Sequence, residues 1–285
     1  MADVSDDPGR PRDQGADDGI PFPPFEPGPS SRALTSAGGG TRLRDIPLRT
    51  LVPNLITILA ICAGLTGVRL AFEGRFGLAV GLILAAAFLD AIDGRVARLL
   101  KASSRFGEQM DSLADVVNFG VAPALVLYAF VLDRAGALGW IAALVFAIAT
   151  TLRLARFNVM IDAPGPSWRK DFFTGVPAPA GGALLLLPVY LGLWGVEPTP
   201  AFALTSAAYA VGIALLMVSA LPVYSGKATG ASVPRRWVVP LMLALVVYVA
   251  LLLSYEWITL TATALLYLGF LPVSARMYRR RMRSG

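Results

Sequence analysis

Residues 76–132 read FGLAVGLILAAAFLDAIDGRVARLLKASSRFGEQMDSLADVVNFGVAPALVLYAFVL. Two apolar blocks, 76–100 and 112–132, flank a short polar break. At about 1.5 Å per residue each block can cross about 30 Å of hydrocarbon as a helix. Four aspartates, Asp90, Asp93, Asp111 and Asp115, lie inside these blocks or at their edges. A charge buried in a bilayer is costly and is functional by default. Membrane-length helices that carry paired acids therefore predict a membrane bundle with a polar site inside it.

Outward from this stretch, apolar spans and polar breaks keep alternating. Eight spans are expected, at 51–72, 76–100, 112–132, 136–158, 178–195, 200–221, 237–254 and 257–276. The fifth is short and contains Pro179 and Pro188. With 55% hydrophobic and 15% charged residues, the chain is too apolar for an ordinary soluble domain. The expected fold is all-α, a polytopic membrane helical bundle of about eight transmembrane helices. Residues 1–41, rich in Asp, Pro, Gly and Ser, are expected to form a disordered tail rather than a signal peptide. Residues 42–276 would form the membrane domain and 277–285 a basic tail.

The net charge of +6 is unevenly spread. Residues 1–32 carry seven acids and three bases, while the basic excess sits in short loops farther on. One set of loops holds Arg42, Arg44 and Arg49, then Lys101 and Arg105, then Arg169 and Lys170, then Lys227, Arg235 and Arg236, and the tail RMYRRRMR at 276–283. The alternate loops, around Glu73, Asp133, Glu197 and Glu256, are nearly free of bases. The positive-inside rule then predicts both termini in the cytoplasm, and the alternation favours an even number of spans. Basic loops between apolar spans suit anionic lipid headgroups as partners, not nucleic acid. No internal repeat of the kind common in secondary transporters is evident.

There is no histidine, and the single cysteine, Cys62, falls within an apolar block. Without histidine or clustered thiols, a metal site must use oxygen ligands, which favours Mg²⁺, Mn²⁺ or Ca²⁺. Asp90, Asp93 and Ala97 share one face of a helix, as do Asp111 and Asp115 on the next. The short connecting loop lets the two acidic pairs face each other. Bound divalent cations would offset their repulsion, and two such ions would form a phosphoryl-transfer clamp. Gly94, Ala97 and Gly107 keep the space beside the acids open, Arg98 can make paired hydrogen bonds to phosphate, and Ser104 can donate to the same group. A proton or cation pathway through a transporter is the competing reading.

The string Asp90-x-x-Asp93-Gly94-x-x-Ala97-Arg98, eight residues, then Gly107-x-x-x-Asp111-x-x-x-Asp115 fixes eight positions over 26 residues. It resembles, in full, the signature of the CDP-alcohol phosphatidyltransferase family. The resemblance implies that Asp90, Asp93, Asp111 and Asp115 bind two ions, Mg²⁺ or Mn²⁺. It implies that Gly94, Arg98 and Ser104 contact the CDP-lipid, within a pocket that Ala97 and Gly107 help form. Asp115 would act as general base, and the protein would be a homodimer.

The signature leaves the acceptor alcohol open: serine, glycerol phosphate, inositol phosphate or another. Four further blocks are similar to the bacterial, membrane-embedded members that pass the phosphatidyl group from CDP-diacylglycerol to L-serine. They are Pro53-Asn54-Leu55-Ile56-Thr57, SLADVVNFGVAPA at 112–124, Arg153-Leu-Ala-Arg156-Phe-Asn158, and FFTGVPAPAGG at 172–182, which has Val176 where Leu or Met is expected. Asn54 and Thr57, three apart on one helical face, are candidates for cytidine recognition; an ordinary helix start after Pro53 is the plainer reading. Arg153 and Arg156 share a face and suit the serine carboxylate, or else anchor the span at the headgroups. Asn118 and Lys227 are further candidates for that pocket.

Overall fold

The computed structural model describes residues 48–100, 104–160, 172–219, 222–224 and 235–284. The expected N-terminal tail, most of the basic loops and Lys227 lie outside these residues.

Ten α-helices make up the described chain: α1 (Leu48–Phe72), α2 (Phe76–Leu99), α3 (Arg105–Asp115), α4 (Ala122–Phe130), α5 (Ala137–Met160), α6 (Ala178–Leu185), α7 (Leu187–Trp194), α8 (Pro200–Val218), α9 (Arg235–Ser254) and α10 (Glu256–Ser284). A π-helical turn, Val116–Val121, joins α3 to α4, so that the third span is one bent rod. Among the described residues seven helical segments are long and apolar enough to span a membrane, and Ala178–Trp194 is a shorter apolar eighth. The third starts earlier than the sequence suggests, at Phe106 rather than 112. The last helix runs on through the basic tail to Ser284. The departure from an all-helical chain is a small antiparallel ribbon, β1 (Phe172–Thr174) with β2 (Pro222–Tyr224), paired Phe172↔Tyr224 and Thr174↔Pro222.

The bundle is packed in the way lipid solvent favours. Its centre is rich in small residues, with Ala60, Ala79, Ala86, Ala122 and Ala210 fully buried. Leu55, Leu59, Leu78, Phe88 and Leu215 point outward. Hydrocarbon is as apolar as leucine, so large side chains gain nothing by turning inward, whereas small ones let helices approach closely. On α9 no residue is buried within the chain, and its apolar surface suits lipid.

The fifth span is broken in its middle. Pro188, at the start of α7, has no N–H, and its ring clashes with the carbonyl four residues back. That carbonyl belongs to Leu184, and the Tyr209 hydroxyl donates to it at 2.8 Å. The Tyr190 hydroxyl donates in the same way to Ala183 O at 3.0 Å. Leu184, Leu185 and Leu186 are all buried, so the interruption faces protein and its freed acceptors are satisfied there.

The π turn has a similar cause. Pro123, also lacking an N–H, opens α4, and the neighbouring Ala122 N–H bonds back five residues to Val117 O. The extra residue rotates the chain after Asp115 and turns Asn118, Phe119 and Gly120 into the core. A methyl at Gly64 of α1 would collide with Asn118 Oδ1, so the carboxamide of Asn118 requires glycine there.

Candidate active site

Three helix ends meet around one cavity of ≈ 140 Å³. The start of α1 contributes Pro53, Asn54 and Thr57, and the end of α2 contributes Asp93, Gly94, Ala97 and Arg98. The start of α3 contributes Ser104, Gly107, Glu108 and Asp111. All seven residues expected to border the CDP-lipid (Asn54, Thr57, Gly94, Ala97, Arg98, Ser104 and Gly107) therefore line the same space. Two lining residues were not anticipated, Pro53 and Glu108. Glu108 precedes Asp111 by three residues, so helical spacing alone could have placed it on that face.

Local chemistry shapes the α3 wall. Ser104 caps the helix in an extended conformation, and its Oγ accepts from Gly107 N–H at 3.0 Å. The serine hydroxyl keeps its own proton to donate. A Cβ at Gly107 would press on Asn54 Oδ1 at 3.0 Å and on Ser104 Oγ at 3.2 Å, so any larger residue would crowd both.

The acids gather below. Asp90, Asp93 and Asp111 can each offer an oxygen such that the three lie within 4.8 Å of one another. Asp115 stands outside that trio, its carboxyl against that of Asp90. Asp93 is 3% exposed, and its Oδ2 accepts from Thr57 Oγ1 at 2.6 Å. Asp90 Oδ1 and Asp93 Oδ1 are buried with no hydrogen-bond partner. Arg69 and Glu73 form an ion pair at the far end of α1, and among the described residues no salt bridge joins a cation to the four aspartates. Three converging carboxylates, two of which carry a buried oxygen without a partner, fit a hard divalent cation, and the donor set holds no nitrogen or sulfur that would favour zinc.

A second group of buried polar residues lies deeper, beside Asp115. Arg153 of α5 is 7% exposed, with Asp115, Arg156 and Tyr267 of α10 as its ionisable neighbours, and its Nε has no hydrogen-bond partner. Asn118 is 1% exposed, and neither its Oδ1 nor its Nδ2 is satisfied. Arg156 is placed differently. It donates from Nη1 to Val218 O at 3.0 Å and from Nη2 to Ser219 O at 3.4 Å, tying α5 to the end of α8. Asn158 likewise holds α5 to α3 through Ser112 Oγ at 3.1 Å. Tyr267 was not anticipated; over a hundred residues of chain separate it from Arg153, and no local spacing signals it.

The family model described as CDP-alcohol phosphatidyltransferase matches residues 50–218. A second, CDP-alcohol phosphatidyltransferase 2, matches residues 236–272. The chain is 39% identical to a CDP-diacylglycerol–serine O-phosphatidyltransferase of Mycobacterium leprae over 234 residues, covering 80% of this chain and 76% of the relative. It is 42% identical to the protein of that name from Helicobacter pylori over 141 residues, covering 50% of this chain and 58% of the relative. An archaetidylserine synthase of Methanothermobacter thermautotrophicus is 32% identical over 186 residues, covering 64% of this chain and 72% of the relative.

Proposed function

The chain belongs to the CDP-alcohol phosphatidyltransferase family, and from that premise we propose that it transfers the phosphatidyl group of CDP-diacylglycerol to L-serine. The products are phosphatidylserine and CMP, and the reaction belongs to phospholipid biosynthesis. One observation supports the reading most: Asp93 and Asp111, on which Asp90 converges, share a cavity with Gly94, Ala97, Arg98, Ser104 and Gly107, in a chain most of which aligns with a relative named CDP-diacylglycerol–serine O-phosphatidyltransferase.

Asp90, Asp93 and Asp111, with Asp115 at their edge, would hold two Mg²⁺ or Mn²⁺ ions, which when bound neutralise the charge of the pyrophosphate and of the transition state. The Arg98 guanidinium and the Ser104 hydroxyl donate to phosphate oxygens. Gly94, Ala97 and Gly107 leave room for the nucleotide, and Asn54 and Thr57 wall its cytidine end. Arg153 receives the serine carboxylate and Asn118 a further polar group of the acceptor. Their unsatisfied, buried donors beside Asp115 support that assignment. Arg156 and Lys227 are secondary candidates. Asp115 takes the proton from the serine hydroxyl, whose oxygen attacks the lipid-side phosphorus in line. The bond to the CMP oxygen breaks, and its electrons leave with CMP.

The protein works in the cell membrane as a multi-pass homodimer, with its termini and site on the cytoplasmic side where serine and CDP-lipid meet. The charge alternation of the loops supports that orientation. The test is purified protein with CDP-diacylglycerol, Mg²⁺ or Mn²⁺ and a panel of alcohols. Phosphatidylserine and stoichiometric CMP are expected, with loss of both in EDTA and recovery on adding metal. A different lipid product would reassign the acceptor, absence of CMP release would favour a transporter, and full activity without metal would reject the two-ion site.

A further inference from the structure

We infer that Thr57 is a positioning residue for Asp93: its hydroxyl ties down one carboxylate oxygen and leaves the other as the atom offered to a divalent cation. Thr57 Oγ1 lies 2.6 Å from Asp93 Oδ2 and 3.1 Å from Pro53 O. Both partners are acceptors, and the hydroxyl has one proton. The shorter contact takes it, because hydroxyl donation to an ionised carboxylate is the stronger bond and has this length. Thr57 is 4% and Asp93 3% exposed, so the bond between them lies largely out of bulk solvent.

Asp93 Oδ1, by contrast, is buried without a partner. The terminal torsion of a carboxylate is broad, and an untethered Asp93 could present either oxygen or both. With Oδ2 held from α1, Oδ1 is the oxygen left without a partner, and Asp93 is one of three carboxylates, with Asp90 and Asp111, that can each bring an oxygen within 4.8 Å of the others. The bond also spans two helices, so the register of α1 against α2 sets the ligand geometry. It leaves Thr57 without a donor for the nucleotide, which makes its role toward cytidine one of shape.

This inference rests on the metal reading above, and its test is made without turnover. Full-length protein in detergent is titrated with Mn²⁺ alone, and free Mn²⁺ is followed by electron paramagnetic resonance, with D93A as reference. T57V keeps the shape and removes the hydroxyl, and Mn²⁺ affinity is expected to fall by about 10- to 100-fold. T57S, which restores a hydroxyl on a smaller side chain, should recover most of that loss, a result that packing alone does not produce. Equal affinity in T57V and the unsubstituted chain, or T57S as weak as T57V, would overturn the role of Thr57. An unsubstituted chain that binds Mn²⁺ no better than D93A would instead overturn the metal site itself.

Discussion

In the proposed reaction, Asp115 and Arg153 carry the chemistry that separates this site from a plain cation site. A serine hydroxyl needs a positioned proton acceptor near neutral pH, and with no histidine in the chain the proposal gives that role to one of the nearby aspartates. Asp115 lies beside the trio of Asp90, Asp93 and Asp111 and next to Arg153, which in the proposal puts it between the two substrates it would join. Asp115→Asn keeps the size and one oxygen but cannot take the proton. Turnover is expected to fall by about 10²–10⁴-fold with CDP-diacylglycerol binding nearly unchanged. Steady-state kinetics with a separate nucleotide-binding measurement checks this, and turnover within a few-fold of the unsubstituted enzyme would remove Asp115 as the base. The two arginines should part company. Arg153→Ala should raise the KM for serine by roughly 10- to 150-fold, the loss of a charge-assisted hydrogen bond of about 1.5–3 kcal/mol, and leave that for CDP-lipid nearly constant. Arg156→Ala removes donors from the end of α8 and should lower stability by on the order of 1 kcal/mol with little change in serine KM. The opposite pattern would move the acceptor pocket to Arg156.

At the scale of elements, two prolines reshape membrane helices, and the surrounding protein satisfies what they release. Pro188 breaks the fifth span, and Tyr209 caps the carbonyl it frees. Tyr209→Phe removes the hydroxyl donor from Leu184 O and leaves it the Leu186 N–H alone, so the protein should lose about 0.5–1.5 kcal/mol, read as a lower melting temperature in detergent, with kinetic constants unaffected. A melting curve superimposable on that of the parent protein would mean that another group reaches the carbonyl. Pro123 sets the π turn that sends Asn118 inward against Gly64. Gly64→Ala should force the Asn118 carboxamide aside and impair serine use more than CDP-lipid use, as a comparison of the two KM values would reveal. The prolines themselves are visible in the sequence, but their consequences are not. Whether a proline kinks, breaks or shifts a ladder depends on which neighbour can supply the missing donor.

For the whole molecule, the site is assembled at one end of the bundle, where α1 begins, α2 ends and α3 begins, with α5 and α8 ending nearby. The opposite end carries the turn at Gly74, the Leu132–Ala135 turn and the Arg134 bond to Pro198 O. The charge alternation read from the sequence, taken with the positive-inside rule, supports a cytoplasmic position for the end that holds the site. In a chain lacking Cys62, single cysteines placed at 134, 197 and 256 should react with an impermeant reagent from the outside only. Labelling of position 134 from the cytoplasmic side alone would invert the topology and move the site away from its substrates.

The membrane bundle, its spans and the acidic pairs were legible in the sequence because each is a local property. Hydropathy adds up over about twenty consecutive residues, and helical spacing places Asp90 with Asp93 and Asp111 with Asp115 without reference to anything distant. The seven residues expected beside the CDP-lipid on the strength of the family signature and the Pro53–Thr57 block line one cavity, and all but Asn54 and Thr57 fall within the short run from Gly94 to Gly107. Tertiary structure alone decided which oxygen of Asp93 is free, because Thr57 reaches it from 36 residues away. It alone separated Arg153, buried beside Asp115, from Arg156, bonded to α8, although the two share one helical face. It alone brought Tyr267 close to Arg153. Spacing along a helix says which side chains point together, but only the packing of other helices against that face says what each of them meets.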